Sequence, residues 1–147
     1  MSGRALGAGN ASGRESGSAG ACPCGSALVY AVCCGPLHAD ERRPTTAEEL
    51  MRSRYTAFAT GDAAYLMRSW HPRNRPDVVD LDPSTTWTGL TVLRTERGRE
   101  GDDDGVVEFV ATWAERSARG GRRGRLHEVS RFERRAGRWL YVDGDHA

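Results

Sequence analysis

The first periodic pattern of apolar residues lies between residues 46 and 71 and has the spacing of α-helices. The residues that recur on one face of its first half are Leu50, Met51, Arg54, Tyr55 and Phe58. Thr45 or Thr46, each with a glutamate three residues later, predicts a capping box at the helix start. Gly61 predicts the end of this helix and Asp62 the N-cap of a second one, which stops before Pro72. The segment therefore predicts an αα-hairpin over about 46–71.

After a proline-containing loop over residues 72–86, apolar and polar residues alternate, as is typical of half-buried strands. The predicted strands are Trp87–Arg94, Gly105–Ala114, Arg125–Arg134 and Arg138–Val142. Polar loops over 96–104 and 116–124 and a tight turn at Ala136 and Gly137 connect them. Because no helix lies between these strands, they should form an antiparallel meander. Helices followed by such a sheet predict an α+β fold, with the N-terminal helices packed on the sheet.

Composition and charge narrow the functional classes. A length of 147 residues suits one domain with a small appendage. All 21 basic residues are arginines, and the net charge of +1 argues against a partner bound by bulk electrostatics, such as DNA. No stretch approaches the about eighteen apolar residues of a membrane span, and no apolar signal region is present at the N-terminus. We expect a cytoplasmic protein without membrane association, in which the Gly, Ser and Ala-rich residues 1–21 form a disordered tail.

All four cysteines of the chain fall within residues 22–38, the cysteine segment, as a C-x-C pair, eight residues and a C-C pair. Four thiolates in two close pairs suit one tetrahedral ion, and soft sulfur ligands favour zinc. The predicted ligands are Cys22, Cys24, Cys33 and Cys34. Disulfides across the loop or redox-active thiols are alternatives, although the usual redox signature is C-x-x-C. His38 could also replace one thiolate as the fourth ligand.

The cysteine segment resembles the SEC-C motif, a small zinc module that also occurs at the C-terminus of the translocase motor SecA. The resemblance rests on the sequence CPCGS, the aromatic Tyr30 and the paired Cys33 and Cys34. It implies zinc binding and contacts with a protein or the ribosome. The lysines that usually surround the aromatic residue are replaced here by Ala27, Val29 and Ala31, so the basic part of the motif is missing.

Six further segments resemble, in order, the YchJ-like proteins, a bacterial family of uncharacterised function. They are LMRSRYTAF (50–58), YLMRSWHP (65–72), W-x-G-L-x-V (87–92), V-E-F-V-A (107–111), E-x-S-R-F (128–132) and R-W-L-Y-V-D-G (138–144). The resemblance implies that residues 45–144 form a cone-shaped domain similar to nuclear transport factor two, with helices wrapped by a bent antiparallel sheet. Such cones often enclose an apolar pocket. We also expect the cone, with a core of its own, to fold without the zinc module.

The polar residues expected at this pocket are Arg52, Arg54, Tyr55, His71, Glu128 and Ser130. Glu128 shares a predicted strand face with Leu126, Ser130 and Phe132, so it could act as an acid or base in an apolar cavity. Alternatively, it forms an ion pair with Arg52 or Arg54, of which only one can face the sheet because they point about 200° apart on a helix. His71 is either a pocket acid or base, or a residue favoured by the helix dipole.

Three functional hypotheses follow from these residues. The preferred one is a zinc-binding protein that acts as a binding or adaptor module, with a small apolar ligand in the cone and a protein or ribosome at the zinc module. The second is an enzyme of the cone fold, an isomerase, dehydratase or hydrolase. The third is an RNA- or ribosome-associated binder that uses the arginines of residues 116–124. The acidic loop at 100–104 offsets the field of these arginines, which argues against nucleic acid.

Overall fold

The computed structural model describes residues 20–147, so most of the predicted tail over 1–21 lies outside the described residues. Ala21, at the end of that tail, pairs with Val29 in an isolated β-bridge. The elements that follow are a 3-10 turn at Tyr30–Val32, helices α1 (Cys34–His38), α2 (Ala47–Thr60) and α3 (Ala63–Arg68), and strands β1 (Thr85–Arg97), β2 (Asp104–Ser117), β3 (Gly120–Arg135) and β4 (Arg138–His146). None of the helices in this part of the chain combines the length and the apolar character that crossing a bilayer requires.

Both main helices begin, and the first of them ends, where their capping residues predict. The Thr46 side chain accepts a hydrogen bond from the Glu49 backbone N–H at 3.1 Å, which caps α2. Gly61 ends this helix in the left-handed conformation with a φ of 82°. Asp62 caps α3 by accepting from the backbone N–H of Tyr65. This second helix ends at Arg68, earlier than predicted, because the chain turns there toward β4, where Trp70 forms a parallel bridge.

The four strands form one antiparallel sheet in the order β1-β2-β3-β4, as the meander prediction requires. Each strand is longer than predicted, and the prediction of a loop over 116–124 was wrong. Ser117 pairs with Gly120, so that only two residues form the turn. The glycines of this stretch have a packing role: a Cβ at Gly124 would overlap the Trp113 ring on the neighbouring strand. Glycine in a strand often marks a place where another group approaches the backbone closely, as the Trp113 ring does here. In the sequence alone, the same glycines indicate a loop.

The core lies between α2 and the inner face of the sheet, and it also includes the cysteine segment. Its buried members are Cys22, Cys24, Cys34, Ala47, Leu50, Met51, Tyr55, Val107, Phe109, Ala111, Phe132 and Trp139. Register shifts in β1 and at Arg131 and Phe132 of β3 mark bulges, which bend a sheet around what it covers. The cysteine segment is thus packed against α2 as part of the same core, rather than held at a distance from it.

Candidate metal centre and ligand cavity

The four cysteine side chains converge on one point. Their sulfur atoms all lie within 4.8 Å of one another, and none of the four cysteines is in a disulfide. The Sγ atoms of Cys24 and Cys33 are 3.6 Å apart, and those of Cys33 and Cys34 are 4.0 Å apart. Four sulfurs about 2.3 Å from a zinc ion at tetrahedral corners would be about 3.8 Å apart. The cluster therefore has the geometry and the donor chemistry to hold one thiophilic metal ion.

Short-range backbone structure brings the two cysteine pairs together. The N–H of Cys22 donates to the carbonyl oxygen of Leu28 at 2.7 Å, which closes the loop between the pairs. Gly25 follows the first pair with a φ of 81°, a conformation that glycine adopts without strain. Cys34 then opens the short helix α1, so the second pair stands at a helix start. The spacing of the segment is explained by one closed loop and one helical turn.

The electrostatics of the cluster favour a bound cation. Hydrogen bonds with Cys22 and Cys34 lower the pKa of the Cys24 thiol, while burial raises the pKa of Cys33 to about 11. Four thiolates at these distances repel one another strongly unless a positive charge lies between them. Without a metal, protons must therefore be shared among the sulfurs, and a divalent ion would replace them.

His38 lies beside the cysteines but is not a member of the cluster. Its Nε2 is 2.8 Å from the carbonyl oxygen of Ser53, and its Nδ1 is 3.0 Å from the hydroxyl of Tyr30. Because a carbonyl oxygen only accepts, Nε2 donates and Nδ1 accepts from the tyrosine. Both ring nitrogens are thus engaged, and the alternative in which His38 replaces a cysteine ligand is not supported. Its role is to join the cysteine segment to α2.

We predict that His38→Ala retains the metal and loses stability. The substitution leaves the Ser53 carbonyl and the Tyr30 hydroxyl without their partner, which should lower the free energy of unfolding by about 1–3 kcal/mol. Metal content per chain and denaturant unfolding measure the two effects separately. A metal content below half that of the wild type would instead assign His38 to the ligand set.

A cavity of about 220 Å³ lies between α2 and the concave face of the sheet. Its apolar lining comes from Met51, Tyr55, Phe58, Trp70, Trp87, Phe109, Ala111, Leu126, Phe132 and Tyr141, and its polar lining from Arg54, Glu128 and Ser130. One water needs only about 10–15 Å³ of such space, so the cavity is large enough for a small organic molecule. The strand face that Leu126, Glu128, Ser130 and Phe132 of β3 share lines this cavity.

Two of the six predicted pocket residues do not reach the cavity. Arg52 faces the cysteine segment, where its Nη1 donates to the carbonyl oxygen of Cys24 at 2.5 Å and its Nε donates to Glu48. The reason is the helical angle of about 200° between it and Arg54, which does line the cavity. The His71 side chain is buried outside the cavity, with its Nε2 3.4 Å from the Glu133 carboxylate. Its backbone N–H donates to the carbonyl oxygen of Tyr141 on β4 at 2.8 Å.

Arg54 is the one charged side chain of α2 at the cavity, and it is only 6% exposed. Its Nη1 donates to the carbonyl oxygen of Leu66 at 2.9 Å and to the hydroxyl of Ser69 at 2.6 Å. The guanidinium carbon lies 4.8 Å from the ring centroid of Trp70 and 4.5 Å from that of Tyr141. Burial lowers the pKa of Arg54 to about 10, so the group remains charged at neutral pH.

Glu128 is held by two hydroxyl groups on one carboxylate oxygen, and its other oxygen lies 3.8 Å from Nε2 of the exposed His146. The Oε2 of Glu128 accepts from Ser130 at 2.6 Å and from the hydroxyl of Tyr141 at 3.2 Å. Burial, followed by the charge of Glu128, raises the pKa of Tyr141, which keeps this hydroxyl protonated as a donor. Within residues 20–147 no arginine lies within 4 Å of the carboxylate, so the predicted ion pair with Arg52 or Arg54 was wrong.

The cavity residues that sequence reasoning missed come from the end of the helical hairpin and from β4. Tyr141 lies two residues after the buried Trp139 on β4 and therefore on the same strand face. Its inward orientation could have been deduced from the strand period. Trp70 gave no such signal, since it lies beyond the last turn of α3 and reaches the cavity through its bridge to Tyr141.

Comparisons with known proteins agree with the order of these elements. Residues 46–144 match the model of the family described as YchJ, middle NTF2-like domain, and residues 21–36 match the SEC-C motif. The UPF0225 protein SCO1677 of Streptomyces coelicolor is 50% identical over 124 residues, which cover 84% of this chain and 94% of that protein.

Two solved structures are also similar. The solution structure of RPA3114, a SEC-C motif containing protein from Rhodopseudomonas palustris, has a TM-score of 0.74 at 33% identity and covers 86% of this chain and 98% of its own. The crystal structure of a SEC-C motif containing protein from Psychrobacter arcticus has a TM-score of 0.64 at 27% identity and covers 83% and 80%, respectively. The fold of this chain is thus shared with two proteins that contain a SEC-C motif.

Proposed function

Because the chain belongs to the YchJ-like UPF0225 family, with a SEC-C motif before an NTF2-like domain, we propose that it is a zinc-stabilised binding protein. Its cavity takes a small, largely apolar molecule. Its four cysteines hold a zinc ion that fixes the cysteine segment against α2. The activity lies in recognition by the cavity, and the metal maintains the structure around it.

The cavity carries this proposal. It is concave and mostly apolar, with three polar side chains placed together among aromatic rings, which is the usual composition of a small-molecule site. The alternative of a cone-fold enzyme would use Glu128 as an acid or base. The two hydroxyl donors that hold its carboxylate favour a fixed recognition group over a proton carrier.

The choice of zinc rests on the donor set. Four cysteine sulfurs fill all the positions of a tetrahedral ion and leave none open for a substrate, which is the arrangement of structural zinc sites. Thiolate ligands also disfavour magnesium and calcium, which prefer oxygen. The metal would therefore join Cys22 and Cys24 to Cys33 and Cys34 and hold both pairs against the core.

We predict that Ala111→Leu weakens the binding of small apolar molecules without unfolding the protein. Ala111 is the smallest side chain that lines the cavity, so a leucine there occupies the space of the ligand. Filling a cavity usually leaves stability unchanged or raises it. Ligand-observed NMR with a panel of neutral aromatic fragments provides the measurement, and binding should weaken about tenfold or more.

Ala114→Leu is the matched control, because Ala114 lies on the same strand and does not line the cavity. This variant should bind the fragments like the wild type. Equal binding by both variants, or no fragment binding to the wild type, would contradict the proposed function.

A second candidate function is the recruitment of a protein through the cysteine segment. Leu28, Val29 and Val32 are 53%, 42% and 59% exposed, and they lie together between the two cysteine pairs. Clustered exposed apolar side chains are typical of interaction sites. Val32→Ser should therefore reduce co-purification of a specific partner protein. Nuclease treatment tests the other possibility, since loss of the complex after RNA digestion would point to RNA or the ribosome instead.

A further inference from the structure

We propose that the ligand of the cavity is a small apolar or aromatic molecule with a carboxylate group, and that Arg54 binds this carboxylate. The inference rests on the proposed function, because it specifies what the same cavity selects. Its basis is the pattern of used and unused donors on the buried guanidinium of Arg54.

One edge of the Arg54 guanidinium is satisfied by the protein and the other is not. Nη1 donates to the carbonyl oxygen of Leu66 and to the hydroxyl of Ser69. Across residues 20–147, no acceptor lies within hydrogen-bonding distance of Nε or Nη2. Buried polar groups are nearly always hydrogen-bonded, so donors left over at the wall of a cavity indicate a missing partner.

The charge of Arg54 leads to the same conclusion. Trp70 and Tyr141 lie within 5 Å of its guanidinium carbon and interact with the cation. Glu128 acts on this charge only from a distance, since no carboxylate in the described part of the chain forms an ion pair with Arg54 within 4 Å. Buried charges in proteins are normally paired with an opposite charge. A carboxylate matches the two parallel N–H groups of the Nε and Nη2 edge, which is the geometry of bidentate arginine recognition.

Glu128 limits the ligand without determining its charge. Its carboxylate also lines the cavity, and it could in principle attract a cationic ligand. However, two hydroxyl groups already donate to Glu128, whereas Arg54 retains unused donors. The unsatisfied group should dominate recognition, so the ligand is an anion. The negative charge of Glu128 opposes a second negative charge, which favours a monocarboxylate.

The apolar side chains that line the cavity determine which apolar group the ligand can have. Trp87, Phe109 and Phe132 contribute aromatic surface to the cavity, and Met51 contributes a flexible apolar side chain. A phenyl ring or a short alkyl chain would be buried against these groups, with dispersion and the hydrophobic effect as its main sources of affinity. Molecules of this chemical class combine one charged end with an apolar remainder.

The test compares three probes of nearly equal shape against the full chain: 3-phenylpropanoate, 3-phenylpropanamide and 3-phenylpropylamine. The dissociation constant of each is measured by calorimetry or by ligand-observed NMR. The carboxylate should bind roughly 10- to 100-fold more tightly than the amide, which is the effect of a hydrogen bond to a charged group. The amine should bind most weakly.

Two variants assign this preference to Arg54. Arg54→Met retains much of the side-chain volume and should remove the preference for the carboxylate over the amide. Arg52→Met, two residues away on the same helix and outside the cavity, should retain the preference. Glu128→Gln provides an independent test should Arg54→Met fail to fold. Removing the competing negative charge should tighten carboxylate binding about threefold or more and leave amide binding unchanged.

The outcomes distinguish the inference from the proposed function. Binding of the amide or the amine as tightly as the carboxylate would overturn the carboxylate assignment and leave a ligand-binding cavity in place. Unchanged or weaker carboxylate binding by Glu128→Gln would also overturn it. If no probe binds and Ala111→Leu behaves like the wild type, both the inference and the proposed function fail.

Discussion

Cys24→Ser should lower the melting temperature of the whole chain by roughly 10 °C or more, not merely loosen the cysteine segment. Zinc binding contributes about 10–16 kcal/mol in small modules that fold around the ion, and losing one of four ligands should forfeit a large part of it. Cys24 is 0% exposed and lies in the same core as Leu50 and Met51 of α2. Loss of the metal should therefore propagate into the cone.

Hydrogen bonds between the cysteine segment and the helices α2 and α3 would transmit this loss of stability. Arg52 donates to the carbonyl oxygen of Cys24, and His38 donates to that of Ser53. Arg68 of α3 donates to the carbonyl oxygen of His38 at 2.7 Å. The sequence predicts that the cone folds without the cysteine segment, because each was expected to have its own core. The hydrogen bonds between the cysteine segment and the helices of the cone argue against that prediction.

Val32→Ser is the control for this prediction, because it also places a serine in the cysteine segment but at a side chain that is 59% exposed. It should retain both the metal and the melting temperature. Circular dichroism follows the transition, and elemental analysis gives the metal content. If Cys24→Ser lost its metal and still melted within about 2 °C of the wild type, the cone would be independent of the metal centre.

Local signals explain which parts of the fold could be predicted from the sequence. The caps at Thr46, Gly61 and Asp62 are recognised by contacts within a few residues, and the structure shows each of them in place. The alternation on β3 correctly placed Glu128 and Ser130 on the concave face. Such patterns depend on the period of one element and not on what packs against it.

The features that sequence reasoning missed depend on partners far along the chain. The glycines of residues 120–124 give the sequence signal of a loop. In the structure, however, this stretch belongs to β3, and the Trp113 ring of the neighbouring strand packs against Gly124. The pairing of Glu128 could not be read from α2 and β3 alone, because Tyr141 of β4 supplies the hydroxyl that replaces the expected arginine. A charged residue on an inner strand face therefore predicts a partner, but the sequence does not specify which one.

Arg54→Ala should lower the free energy of unfolding by about 3–5 kcal/mol, more than truncation of any other charged side chain of α2, because only Arg54 among them is buried. The guanidinium fills the space between the rings of Trp70 and Tyr141 and hydrogen-bonds to Leu66 and Ser69. Truncation to alanine removes the stacking and both hydrogen bonds and leaves a cavity at once. These losses exceed the gain from no longer burying a charge.

Arg54→Met separates the two contributions, because it fills most of the space but makes no hydrogen bond. Ser69 also donates to the carbonyl oxygen of Leu66, so this acceptor keeps a partner in both variants. The expected loss for Arg54→Met is only about 1–2 kcal/mol, because little of the space is left empty. Arg52→Ala is the positional control and should cost about 1–2 kcal/mol, because it loses a partly solvated ion pair with Glu48 and one hydrogen bond to the carbonyl oxygen of Cys24. Denaturant unfolding of the three variants measures the order. Equal losses for Arg54→Ala and Arg52→Ala would show that the buried, stacked guanidinium does not stabilise the junction between the helical hairpin and β4.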